Sequence, residues 1–222
     1  MALLAPLQRQ IADLLPALDQ IADERRPALD ALARFVADAR ADGRIAPLVF
    51  ICTHNSRRSH MAQLWAAAAA AQFGLGGTLT SFSGGTEATA FEPRAVAAMR
   101  RAGFEITADA TVPNPRYRAC FADTDGPDPG CPACVEVFSK IWDAPSNPRE
   151  GFAAVMTCTD ADEACPLVAG AALRVALPYA DPKQADGSPE EAATYDARAR
   201  QIAVEMLYLA RAAAAGSPRP GR

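Results

Sequence analysis

The sequence predicts an α/β fold, a four-stranded parallel doubly wound sheet flanked by helices, with a helical extension at the N-terminus. Short apolar runs with no polar alternation indicate buried strands, and longer segments rich in alanine, leucine and methionine follow them at helical length. Strands that alternate with helices are typical of parallel sheets, because each helix carries the chain back across the sheet.

The N-terminal extension, residues 1–44, is expected to form two helices. Its apolar residues recur at helical spacing in two groups, which are Ile11, Leu14, Leu15 and Leu18, followed by Leu29, Leu32, Phe35 and Val36. A charged break precedes Pro27, which suits the first turn of a helix, and Gly43 is placed to end the second helix. We expect these helices to pack on the domain that follows, with an oligomer contact as the alternative.

The α/β domain is expected over residues 45–214. The predicted strands cover residues 47–51, 78–83, 152–157 and 172–177, and the predicted helices cover residues 57–73, 93–102 and 189–213. Gly74 and Gly103 are placed to end the first two of these helices. Residues 116–143 contain a run of Gly, Pro and Asp and are expected to form a long ordered loop insertion. Residues 215–222 are expected to be a disordered tail.

The net charge, the N-terminal sequence and the cysteine content argue against several classes of function. The formal net charge is -4 and the isoelectric point is about 5.3, so no basic surface is expected to bind nucleic acid. Pro6, Arg9, Asp13 and Pro16 interrupt the apolar N-terminus, which argues against a signal peptide or a membrane span and favours a cytoplasmic protein with no membrane partner. In that setting the six cysteines indicate catalysis, redox chemistry or metal binding rather than a disulfide framework.

The loop after the first strand has the composition of an oxyanion site. Cys52 ends the strand, five residues follow, and Arg58 opens the next helix. Successive backbone amides at a helix N-terminus form an anion-binding concavity, and an arginine there supplies a planar fork of donors. The same positive field favours the nucleophilic thiolate of Cys52, Ser59 can donate to its sulfur, and Asn55 suits a left-handed turn. The expected oxyanion-binding residues are Thr53, His54, Asn55, Ser56, Arg57, Arg58 and Ser59.

The alternative for this loop is a buried cysteine that acts only as a small apolar residue before two solvated arginines. Cations at a helix N-terminus are unfavourable unless an anion joins them, so Arg57 and Arg58 favour the oxyanion site.

The segment Cys52–Ser59 resembles the Cys-x5-Arg-Ser loop of the low-molecular-weight protein tyrosine phosphatases and of the thioredoxin-coupled arsenate reductases that share their fold. The similarity extends over about residues 48–208. The resemblance implies Cys52 as nucleophile, Arg58 as the oxyanion-binding cation and Asp181 as general acid. Asp181 follows the fourth predicted strand in an Asp-Pro pair, which on its own is more often a turn.

Two further cysteines distinguish the branches of this superfamily. Cys158 and Cys165 follow the third predicted strand, and their segment resembles the redox segment of the arsenate reductases. The resemblance implies a relay in which Cys52 attacks arsenate, Cys158 attacks Cys52 as arsenite leaves, and Cys165 resolves the disulfide. Thioredoxin would then reduce the Cys158–Cys165 pair, and no bound cofactor is expected. One alternative is a phosphatase that hydrolyses phosphate monoesters through a Cys52 phosphocysteine, and another is a regulator that binds oxyanions without turnover.

At some positions this sequence differs from the residues that these families often carry. Gln63 and Val112 stand where many of these reductases carry acids for potassium, so potassium dependence is not expected. Lys183 and Gln184 follow the Asp-Pro pair, where many tyrosine-specific phosphatases carry aromatic residues, and this weakens the phosphotyrosine hypothesis.

No metal is predicted. Three cysteines are close in sequence, Cys120, Cys131 and Cys134, and a zinc site, a peripheral redox role and no function at all stay open for them.

Overall fold

The computed structural model describes residues 2–108, 111–123, 133–164 and 167–216. The strands are β1 (Ala46–Cys52), β2 (Leu79–Gly85), β3 (Glu105–Ala108), β4 (Tyr117–Cys120), β5 (Cys134–Val137), β6 (Phe152–Met156) and β7 (Ala171–Ala176). The α-helices are α1 (Ala5–Leu14), α2 (Arg26–Ala41), α3 (Arg58–Gln72), α4 (Pro93–Arg101), α5 (Thr159–Ala164) and α6 (Glu191–Ala215). Short 3-10 turns cover Leu15–Gln20 and Pro182–Ala185.

The main sheet has four parallel strands in the order β2-β1-β6-β7. This confirms the predicted fold class. Strands β1 and β6 lie at its centre and are buried almost throughout, which explains why both are continuous apolar runs. Both of them end at the same edge of the sheet, so Cys52 and the residues after Met156 are brought together there.

A second sheet lies where the sequence analysis expects a loop. Strands β3, β4 and β5 form an antiparallel sheet, and β4 and β5 fall within residues 116–143. The turn-forming residues that led to the loop prediction lie between β4 and β5, and residues 124–132 are outside the described part of the chain. Each of these strands has only four residues, too few for a clear alternation of buried and exposed positions.

Helix α3 is buried along most of its length, from Ser59 to Ala70. It packs against β1, β2 and α6, and its run of alanines lets these elements approach closely. The first turn of this helix carries Arg58 and Ser59, two residues of the predicted oxyanion site, so the hydrophobic core helps to hold them in place.

The N-terminal helices belong to the same hydrophobic core as the sheet. Leu7, Ile11, Leu14, Leu29 and Leu32 are at most 1% exposed, and α2 packs against α6 and β7. Packing on the domain is therefore present in the structure. A division of the chain at residue 44 stays a prediction, and the predicted tail lies outside the described residues from residue 217 onward.

Within the described ranges, no helix combines the length and the apolar character that a membrane crossing requires.

Candidate active site

The loop between β1 and α3 encloses the thiol of Cys52. The Sγ atom of Cys52 lies 3.1 Å from the hydroxyl oxygen of Ser59, and that oxygen accepts a 2.9 Å hydrogen bond from the side-chain amide of Asn55. Because the amide must be the donor to Ser59, the hydroxyl proton of Ser59 remains available to the sulfur of Cys52. Ser59 can therefore donate a hydrogen bond to Cys52.

Asn55 connects this loop to the rest of the molecule. Its φ angle is 44°, the left-handed conformation that the sequence predicts at this position. The Asn55 side chain is fully buried, and its oxygen accepts a 2.9 Å hydrogen bond from the backbone amide of Lys140. One side chain therefore joins the loop, the first turn of α3 and the chain that follows β5.

The C-terminal end of β2 supports the loop from the opposite side. The backbone amide of Glu87 donates to the carbonyl of Thr53 at 2.8 Å, and the amide of Thr86 donates to the carbonyl of Cys52 at 3.2 Å. A Cβ atom on Gly85 would lie 2.4 Å from the Glu87 carbonyl oxygen and 2.7 Å from the Asn55 amide nitrogen. Glycine is required here because the backbones approach too closely for a side chain.

Arg58 and Asp181, the predicted oxyanion ligand and general acid, are in direct contact. A terminal nitrogen of Arg58 donates to a carboxylate oxygen of Asp181 at 2.8 Å, and the other donates to the carbonyl of Tyr179 at 3.2 Å. The Nε atom of Arg58 is buried with no hydrogen-bond partner in the described part of the chain. The structure thus brings together two residues that are 123 positions apart in the sequence.

Asp181 also starts the 3-10 turn that follows it. Its second carboxylate oxygen accepts a 3.1 Å hydrogen bond from the backbone amide of Lys183. The side chain is about one-third exposed. The Asp-Pro pair therefore makes a turn and, through the same carboxylate, reaches the oxyanion loop.

The side chain of Arg57 contacts acidic residues around the loop, and its Nε atom lies 4.0 Å from a carboxylate oxygen of Asp181. Its Nε atom donates to the hydroxyl of Tyr195 at 2.8 Å, and a terminal nitrogen lies 3.2 Å from Glu92 and 3.5 Å from Asp186. Arg57 can contribute its backbone amide to an anion, while its charge is taken up by these acids.

The two histidines have different surroundings. The imidazole of His54 is half exposed, with Nε2 3.6 Å from a carboxylate oxygen of Glu87. His60 is fully buried in α3, and burial together with the nearby charge of Lys140 lowers its pKa to about 3. His60 is therefore neutral at pH 7 and adds no charge to the loop.

The second free thiol of the described residues is Cys158, directly after β6. Its Sγ atom lies 3.5 Å from the hydroxyl oxygen of Thr53 and accepts a 3.4 Å hydrogen bond from the backbone amide of Ala161. Cys158 is 1% exposed and shares an apolar cluster with Cys52. Cys165 lies outside the described residues, and the segment before it forms α5, a short helix that the sequence analysis does not predict.

Cys120 and Cys134 form a disulfide between directly opposite residues of β4 and β5. The bond removes both thiolates as zinc ligands, and no cluster suited to a metal occurs among the described residues. The sequence does not favour a disulfide framework, and this pair forms a bond because the second sheet, which was not predicted, places the two cysteines opposite each other. Cys131 lies outside the described residues.

Sequence reasoning missed a buried polar group beneath Tyr179. The carboxylate of Glu205, on α6, accepts hydrogen bonds from Arg25 and from the Tyr179 hydroxyl. In the sequence, Glu205 lies next to Met206 and three residues after Ile202, both of which are apolar positions of α6. An acidic residue on the buried face of a helix could have indicated this group.

A parallel α/β sheet with a cysteine at a strand end, followed by a loop and an arginine at the next helix N-terminus, is the arrangement expected of a cysteine-dependent enzyme that acts on oxyanions. Residues 47–125 match the family described as low molecular weight phosphotyrosine protein phosphatase. Over 160 residues the chain is 29% identical to an arsenate reductase of Bacillus licheniformis, and the match covers 72% of this chain and 91% of that protein. The chain is thus similar to the low molecular weight phosphatase family over residues 47–125 and to an arsenate reductase over most of that protein's length.

Two solved structures are also similar. A low-molecular-weight phosphotyrosine phosphatase of Vibrio cholerae O395 has 14% identity and a TM-score of 0.47, covering 74% of this chain and 94% of its own. A thioredoxin-dependent arsenate reductase of Corynebacterium glutamicum has 16% identity and a TM-score of 0.37, covering 87% of this chain and 81% of its own.

Proposed function

We propose that the protein is an arsenate reductase that uses a cysteine relay, with thioredoxin as the electron donor. The observation that carries the proposal is the position of Cys158, a free and buried thiol that contacts Thr53, the residue next to Cys52. Hydrolysis of a phosphate ester needs one nucleophilic cysteine, whereas reduction of arsenate needs a second thiol near the first. The arsenate reductase among the relatives supports the same choice.

In the proposed reaction the thiolate of Cys52 attacks the arsenic atom of arsenate, and an arsenate oxygen leaves as water. Arg58 and the loop amides hold the remaining oxygens, and Asp181 supplies a proton to the departing oxygen. The thiolate of Cys158 then attacks the sulfur of Cys52. The electron pair of the S–As bond passes to arsenic, arsenite leaves, and a Cys52–Cys158 disulfide is formed.

Cys165 completes the proposed cycle. Its thiolate attacks Cys158, which frees Cys52 and leaves a Cys158–Cys165 disulfide. The dithiol of thioredoxin supplies two electrons to this disulfide and is itself oxidised. A relay of this kind needs thiols that are kept reduced, so a cytoplasmic location is part of the proposal.

The second candidate function is hydrolysis of phosphate monoesters. It is favoured by the contact between Arg58 and Asp181, because these two residues and Cys52 are sufficient to bind, attack and protonate a phosphate ester. A regulator that only binds oxyanions would need neither the nucleophile nor the acid.

One pair of assays tests the proposal. Purified protein is incubated with arsenate, thioredoxin, thioredoxin reductase and NADPH, and NADPH oxidation is followed. A parallel sample receives p-nitrophenyl phosphate alone. We expect arsenate-dependent NADPH oxidation. Ester hydrolysis with no arsenate turnover would replace the proposal with the phosphatase alternative.

A further inference from the structure

A buried carboxylate from α6 lies between the N-terminal helices and the segment that leads to Asp181. Glu205 is 2% exposed, and both of its oxygens are bonded to Arg25, at 2.5 Å from Nε and 2.9 Å from a terminal nitrogen. The hydroxyl of Tyr179 donates to the same carboxylate at 2.7 Å. Arg25 stands just before α2, so the N-terminal part of the chain supplies the positive charge that this buried acid requires.

Arg25 also binds the chain next to Tyr179 directly. Its third nitrogen donates to the carbonyl of Pro178 at 3.0 Å, and its guanidinium lies 4.9 Å from the centre of the Tyr179 ring. Burial and the charge of Glu205 raise the pKa of Tyr179 well above 10, so its hydroxyl remains a donor. Arg25 thus contacts the Pro178 carbonyl and the face of the Tyr179 ring, while Glu205 accepts a hydrogen bond from the Tyr179 hydroxyl. These three contacts fix residues 178 and 179.

The same two residues determine where Arg58 and Asp181 lie. The carbonyl of Tyr179 accepts a hydrogen bond from Arg58, and Asp181, two residues further on, accepts another from the same guanidinium. Pro182 restricts the chain immediately afterwards. A displacement of Tyr179 would therefore move an acceptor of Arg58 and the carboxylate of Asp181 together.

We infer that Arg25 is a positioning residue for the oxyanion site and acts through Glu205 and Tyr179 to hold Arg58 and Asp181 in place. Arg25 makes no hydrogen bond or ion pair with loop residues 52–59, so its effect on the site passes through the residues that it fixes. The inference rests on the proposed function only in taking Arg58 and Asp181 as site residues, and it holds for reduction and for ester hydrolysis.

The test compares Arg25→Ala with Arg26→Ala. Arg26 is the matched control, because it bonds to the carbonyls of Asp19 and Ile21 and lies over the Tyr208 ring, with no contact to Tyr179. The first readout is the concentration of inorganic phosphate that protects Cys52 from iodoacetamide, which requires no turnover. The second is turnover of arsenate or p-nitrophenyl phosphate, whichever the wild type accepts, with and without 20 mM methylguanidinium.

We expect Arg25→Ala to raise the protecting phosphate concentration at least tenfold and to lower turnover by a similar factor. Methylguanidinium should restore part of both, a rescue that a purely structural loss of stability would not give. Arg26→Ala should stay within twofold of the wild type. The inference would be overturned if Arg25→Ala and the wild type showed the same phosphate protection of Cys52 and the same turnover. It would also be overturned if phosphate did not protect Cys52 of the wild type from iodoacetamide.

A second variant covers the case in which Arg25→Ala does not fold. Arg25→Met/Glu205→Leu replaces the buried ion pair with apolar side chains, a change that often preserves stability. The hydroxyl of Tyr179 then loses its acceptor, and phosphate protection should still weaken at least tenfold. A folded double variant with unchanged protection would contradict the inference. If the wild type fails to reduce arsenate while Arg25→Ala still weakens protection, the proposed reductase falls and the positioning role stands.

Discussion

Arg58 and Asp181 meet through a 2.8 Å hydrogen bond, so the cation that would bind an oxyanion and the acid that would protonate it share one contact. An oxyanion that takes up donors of Arg58 competes with Asp181 for them. With the proposed roles of these two residues, binding of the oxyanion and release of the acid would be coupled.

Asp181→Asn should separate binding from chemistry. The amide cannot serve as an acid, so turnover should fall by on the order of 10²–10⁴-fold. Phosphate affinity should stay the same or increase, because the neutral amide competes less strongly for Arg58. Steady-state kinetics and phosphate protection of Cys52 give the two values. If kcat is unchanged, Asp181 is not the acid.

Cys158→Ser should distinguish the two candidate reactions. Arsenate turnover should stop, because the S–As bond at Cys52 then has no second thiol to break it, while hydrolysis of p-nitrophenyl phosphate should stay within a few-fold of the wild type.

Cys165→Ser should trap an intermediate of the relay. One equivalent of arsenate should yield a Cys52–Cys158 disulfide, detectable by peptide mapping, whereas the wild type without thioredoxin should accumulate Cys158–Cys165. A fully reduced wild-type protein that forms neither disulfide with arsenate would exclude the relay.

Gly85→Ala should disrupt the oxyanion loop from its outer side. The new Cβ would lie 2.4–2.7 Å from backbone atoms of Glu87, Asn55 and Thr53, none of which can rotate away. We expect turnover to fall by on the order of 100-fold, because displaced loop amides no longer converge on the oxyanion. Gly77→Ala is the matched control, since nothing lies within 4 Å of its Cβ position. Equal activity of the two variants would show that the loop tolerates the displacement.

His60 should make the fold sensitive to acid. Its pKa is lowered to about 3 in the folded chain, so between pH 6.5 and about 3 the unfolded chain binds a proton that the folded chain does not. The free energy of unfolding should therefore fall with decreasing pH, with His60 contributing up to ~1.4 kcal/mol per pH unit in this window. Urea denaturation at pH 7 and pH 5 would measure the loss. It should be smaller in His60→Phe, and identical losses in the two proteins would contradict this assignment.

The main sheet and the oxyanion loop could be predicted because their signals are local. The apolar run of β1, the break after Cys52 and the helix formers of α3 lie within 26 consecutive residues, 47–72. The second sheet could not be predicted, because Tyr117–Cys120 becomes a strand only through pairing with residues beyond a turn-rich segment. Glu205 and Arg25 are separated by 180 residues, and nothing in either segment alone indicates the partner.

Helix α3 shows how the site depends on the core. Its first residue is Arg58, and the alanines at positions 66–70 are all at most 8% exposed, between the sheet and α6. A larger side chain at Ala68 or Ala69, which are fully buried, would displace the helix against its neighbours and carry Arg58 with it. Directed evolution of this protein should therefore find that volume changes at these alanines, several turns away from Cys52, alter substrate preference as well as expression.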